Sequence, residues 1–69
     1  MMAPRPVDDR LLTYAEAAEV LGTAPGYVER LVGQRRLAHV KLGHFVRIRR
    51  SDIDRLIETS RVPAVTEDR

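Results

Sequence analysis

Between Glu29 and Arg50 the chain carries Arg30, Arg35, Arg36, Lys41, Arg47, Arg49 and Arg50 against the single acid Glu29. The formal net charge of the whole chain is only +2, so the acids lie elsewhere and charge is segregated along the sequence. Cations gathered in this way neutralise phosphate oxygens, and a guanidinium can also pair in bidentate fashion with the edge of a guanine. A polyanion is therefore the expected partner. Bond-making chemistry finds no support: no activated nucleophile, carboxylate pair or glycine-rich phosphate loop stands at usable spacing. His39 and His44 lie close in sequence, but without a third ligand they make a poor metal site. A surface or phosphate-facing role suits both better. The expectation is a binding protein with no catalytic residue, cofactor, metal or small-molecule ligand.

A chain of 69 residues holds one domain and buries roughly 60% of the surface its unfolded form exposes. It contains no cysteine, so neither a disulfide nor a thiolate metal site adds stability. Packing and helix caps must hold the fold. Apolar runs fall well short of the roughly 18 residues of a membrane span, and Asp8, Asp9 and Arg10 interrupt any leader-like segment. The expected setting is cytoplasmic, on a bacterial nucleoid or encoded by a phage, with no membrane partner.

Residues 1–10 hold two prolines and no periodic apolar pattern and read as a flexible lead-in, and residues 62–69, with Pro63, read as a flexible tail. The folded domain is expected over 11–61. Thr13-Tyr14-Ala15-Glu16 is a capping box, Leu12 and Ala17 suit a hydrophobic staple, and Tyr14, Ala17, Ala18 and Leu21 share a stripe. Gly22 ends this first helix. Pro25 suits the first turn of a second helix, in which Ala24, Val28, Leu31 and Val32 face inward while Tyr27, Arg30 and Gln34 share another face.

From Leu37 the period becomes two, with Ala38, Val40 and Leu42 alternating against His39 and Lys41, then Val46 and Ile48 against Phe45, Arg47 and Arg49. Gly43-His44 fits a tight two-residue turn between the strands. Ser51 with Asp54 suggests a cap for a third helix carrying the stripe Ile53, Leu56 and Ile57. The core expected from this pattern is Leu12, Tyr14, Ala18, Leu21, Val28, Leu31, Val40, Ile48, Ile53 and Leu56.

This order, carried by LLTYAEAAEVLG, PGYVERLV, VKLGHFVRIRR and SDIDRLIE, resembles the excisionase-type winged helix-turn-helix family, of which MerR-type DNA-binding domains are larger relatives. The resemblance spans about fifty residues and joins several spaced elements, which makes it more specific than any one of them. It implies an α+β fold: a two-helix helix-turn-helix, a two-stranded antiparallel wing and a closing C-terminal helix. Two positions depart from the family pattern. Ala24 stands where the second helix usually has a serine cap, and Arg35 replaces the usual glycine before the wing, so Gly33 is a candidate helix end.

In such a fold the second helix fits the major groove of duplex DNA, about 12 Å wide. Pro25, Gly26, Tyr27, Arg30 and Gln34 are then the reading-helix residues, with Arg30 suited to guanine, Gln34 to adenine, and Tyr27 to a phosphate or a thymine methyl. Gly43, His44, Arg47 and Arg49 form a basic wing for a minor groove or flanking phosphates. Arg35, Arg36, Lys41 and Arg50 are candidate phosphate positioners. Solvated surface charge, or arginines that protect an edge strand from mispairing, would give the same pattern.

The resemblance further implies an excisionase, or recombination directionality factor, that binds near mobile-element attachment sites, associates head to tail on DNA and biases a partner integrase toward excision. A small transcription regulator is the alternative. An adaptor whose arginines meet an acidic protein is a more distant one.

Overall fold

The structure, a computed structural model, describes residues 9–65. Its elements run β1 (Leu11–Leu12), α1 (Tyr14–Leu21), α2 (Pro25–Gly33), β2 (Val40–Leu42), β3 (Phe45–Arg49) and α3 (Arg50–Ser60). The architecture is the expected α+β winged helix-turn-helix. The lead-in over residues 1–8 and the tail end over 66–69 lie outside the described residues. Of the remaining lead-in, Asp9 and Arg10 are placed against α3, as set out below.

The capping box forms as its sequence requires. The Glu16 amide donates to Thr13 Oγ1 at 3.1 Å, and the Thr13 amide donates to Glu16 Oε1 at 2.9 Å. That backbone bond from Thr13 holds the Glu16 carboxyl below the usual carboxylate range. Gly22 ends α1 at φ +70, a left-handed conformation natural to glycine, and the Thr23 amide reaches back to the Ala18 carbonyl at 2.9 Å. The turn from α1 to α2 is thereby closed.

Helix α2 starts at Pro25 after Ala24, and no side chain caps it. The Thr23 hydroxyl instead donates to the Ala24 carbonyl at 3.4 Å. Ala24 is exposed, which corrects its expected inward place: as the residue before the helix it is extended, so helical spacing does not apply to it. Val28, Leu31 and Val32 are buried as expected. The helix ends at Gly33, and the next residues close it with the Arg35 amide on Val32 O and the Arg36 amide on Leu31 O. Arg35 sits at φ +59, the left-handed position that glycine normally fills. The chain then turns Leu37 into the core, 3% exposed, a burial that the period-two reading did not assign.

The sheet contains one strand more than the expected hairpin. Its order is β1-β3-β2, because Leu11 and Leu12 pair antiparallel with Arg49 and Ile48. In the hairpin, Val40 pairs with Arg47, Lys41 with Val46 and Leu42 with Phe45. Opposed residues share a sheet face, so Val40 and Leu42 lie with Phe45 and Arg47, away from the core face of Val46 and Ile48. Val40 is therefore not part of the core, which corrects that expectation. The period was right and the phase of the first strand was not. Gly43 has φ +64 and His44 does not have a positive φ, the pattern of a type II′ turn.

The expected Ser51–Asp54 cap also needs correction. Helix α3 begins one residue earlier, at Arg50, and Arg49, its flanking residue, supplies no side-chain cap. Asp9 takes that role from across the domain. Its Oδ1 accepts from the Ser51 amide at 3.2 Å, its Oδ2 meets Arg49 at 3.3 Å, and the Arg50 amide donates to the Arg10 carbonyl at 3.0 Å. Hydrogen bonds from Ser51, with Arg49 beyond them, hold the Asp9 carboxyl below the usual range.

One core joins all the layers: Leu12, Ala17, Ala18, Val28, Leu31, Val32, Leu37, Ile48 and Ile53, with Tyr14, Leu21, Val46 and Leu56 packed against it. It fixes α2 and the wing relative to α1 and α3. Ile57, expected on the inner stripe of α3, is 44% exposed.

Candidate nucleic-acid interface

The burial of Val28, Leu31 and Val32 turns the opposite side of α2 outward. Tyr27, Arg30 and Gln34 are exposed there together, and Gly26 near the helix start is also exposed. Arg30 lies over the Tyr27 ring, 5.5 Å from its centre. That contact orients the guanidinium, which makes no ion pair among the described residues. A Cβ at Gly26 would meet nothing within 4 Å, so packing inside the domain does not call for a glycine there. Pro25 occupies the first helical turn, where its missing N–H is harmless.

The wing presents two different environments. At the tip Gly43 and His44 are exposed, and Arg47 lies 5.4 Å from the centre of the Phe45 ring while its Nη1 donates to the Val46 carbonyl at 3.0 Å. At the base Arg49 is paired with Asp9, and Arg50 with Asp54 at 3.3 Å in an i,i+4 helical pair. These two guanidiniums have local partners, although exposed pairs of this kind are weak and can exchange. Arg35, Arg36 and Lys41 are exposed and make no ion pair among the described residues.

Two features escaped the sequence reading. Arg55 on α3 is exposed and lines, with Arg36, Asp52 and Thr59, a groove of about 110 Å³. Its place on a helix assumed to close the fold gave no reason to single it out. Phe45 is 61% exposed and Leu42 48%, on the same outer face of the wing. The alternation had already set Phe45 opposite Val46 and Ile48, and the first strand's phase, once corrected, places Leu42 beside it.

Among the described residues no group of three or more His, Cys, Asp or Glu side chains is arranged to hold a metal ion. No helix there is long and apolar enough to cross a membrane. The arrangement can lay a helix face and a basic hairpin against an extended anionic surface. A family model described as a helix-turn-helix domain matches residues 11–61. Neither curated proteins nor solved structures give a match.

Proposed function

This chain belongs to the helix-turn-helix domain family and is a DNA-binding domain, and from that premise we propose that it reads duplex DNA with α2 and steadies itself with the wing. The observation that carries this reading is the outward face of α2 and its C-terminal cap, where Tyr27, Arg30 and Gln34 are exposed and Arg30 lies over an aromatic ring with no ion pair among the described residues. Arg30 takes guanine O6 and N7, Gln34 takes an adenine edge, and Tyr27 takes a phosphate or thymine methyl. Pro25 and Gly26 bring the helix start close to the DNA backbone. Gly43, His44 and Arg47 reach the flanking groove. Arg35, Arg36 and Lys41 bind phosphates, while Arg49 and Arg50 add mainly to the basic field.

The biological role we propose is that of an excisionase-type directionality factor. It binds near a recombination site, associates head to tail with further copies on the DNA and works with an integrase. It has no catalytic role of its own and acts in the cytoplasm on nucleoid or phage DNA. The motif string from Leu11 to Glu58, with its resemblance to that family, supports this role over transcription control. Footprinting across the neighbouring DNA of the source genome tests it. Protected repeats at an attachment site are expected. Protection confined to a promoter identifies a transcription regulator instead.

A further inference from the structure

We propose that the outer face of the wing is an apolar DNA-contact surface, with Leu42 and Phe45 packing on the deoxyriboses of the minor groove beside the major groove that α2 enters. The inference rests on the DNA-reading function above and adds to it a contact that is not electrostatic. The pairing register places Val40, Leu42, Phe45 and Arg47 on one face of the sheet, opposite the face that Ile48 carries into the core. Phe45 is 61% exposed and Leu42 48%, and the two flank the Gly43-His44 turn. Large apolar side chains clustered at the end of a hairpin and left this exposed among the described residues mark an interaction surface.

Charge selects the occupant. The Arg47 guanidinium is held over the Phe45 ring, fixed there by its bond to the Val46 carbonyl, so the outer face carries a cation beside its apolar pair. A second copy docking the same face by two-fold symmetry would set Arg47 against Arg47, an unfavourable like-charge contact. A minor groove offers the complement, apolar sugar walls between two rails of phosphate. At about 6 Å it is too narrow to take a two-stranded ribbon face on. Only the tip enters, and the type II′ turn at Gly43 keeps that tip slim. Continuity with the basic face of α2 points to the same duplex.

The test uses the full chain and a duplex selected from a random-sequence pool, with affinity measured across a salt series. Phe45→Ala is expected to bind about tenfold more weakly at every salt concentration, with the slope of log affinity against log salt unchanged. Phe45→Leu should recover part of the loss. A hydroxyl-radical footprint, which reports on sugars, should lose its minor-groove protection in Phe45→Ala and keep the protection under α2. Phe45 is exposed, so an unchanged urea midpoint is expected for both variants and excludes unfolding as the cause. Wild-type affinity in Phe45→Ala overturns the proposal. So does wild-type self-association without DNA that Phe45→Ala abolishes, which identifies a protein interface. If the wild-type chain binds no duplex, the DNA-reading function fails first and the wing contact with it.

Discussion

Arg47 and Arg49 lie on one face of one strand, two residues apart, yet they occupy opposite situations. Arg47, nearer the tip, rests on an aromatic ring and makes no ion pair among the described residues, although its charge reaches the Glu16 carboxyl. Arg49, at the base, meets Asp9 in a junction that also caps α3. Counting cations along the sequence makes the two equivalent. The fold separates them, assigning one end of the wing to an outside partner and the other to holding the domain together.

The largest effect should come from removing what both ends share. Leu31→Ala leaves a cavity under α2 and should cost about 2–5 kcal/mol in a urea titration, a large part of the stability of so small a domain. Loss of DNA binding in that variant reports unfolding and leaves the comparison untouched. Arg30→Ala sharpens the comparison by extending it to α2, where an arginine is again stacked on a ring. Specific binding should weaken by about 1–3 kcal/mol, and base preference should relax at one position in a selection experiment. An unchanged preferred site would remove α2 as the reader.

Smaller effects probe the backbone and the clasp. Arg35 holds a left-handed conformation at φ +59, so Arg35→Gly should raise unfolding stability by about 1 kcal/mol. The same change should weaken DNA binding if that guanidinium takes a phosphate, so stability and affinity move in opposite directions. Asp9→Asn should lower the urea midpoint near neutral pH while leaving the tip in place. Its pH dependence has a definite sign. The folded-state carboxyl titrates below its unfolded value, so its stabilisation is complete above the ordinary aspartate range and is lost as pH falls below about 4. The midpoint difference between wild type and Asp9→Asn should therefore shrink on going from pH 6 to pH 3. A constant difference would mean that Asp9 acts through packing rather than charge.

Much of the fold was legible because local rules and tertiary demand agree. The Thr13–Glu16 box, the Gly22 stop, Pro25 and the Gly43-His44 turn each act within a few residues, and each appears where its sequence places it. What was hidden depends on contacts distant in sequence. No local signal tells that Leu11 and Leu12 pair with β3, nor that Asp9 bonds to an amide 42 residues away. The phase of β2 is set by its pairing with β3, which moved Val40 to the outer face, and by the turn at Arg35 that takes Leu37 into the core. For the candidate site, the sequence marked the outward face of α2 and the basic wing. It could not tell a solvent-facing arginine from one with a carboxylate beside it, and it passed over the exposed Phe45.

The salt dependence of DNA affinity tests the contrast between tip and base most directly, measured for wild type, Arg47→Ala and Arg49→Ala on one duplex. With about six phosphates neutralised, the wild-type slope of log affinity against log salt should lie near −5. Arg47→Ala should flatten it by about 1 and weaken all sequences alike, whereas Arg49→Ala should leave it close to wild type. Equal flattening by both variants, or a wild-type slope near zero, would contradict the account.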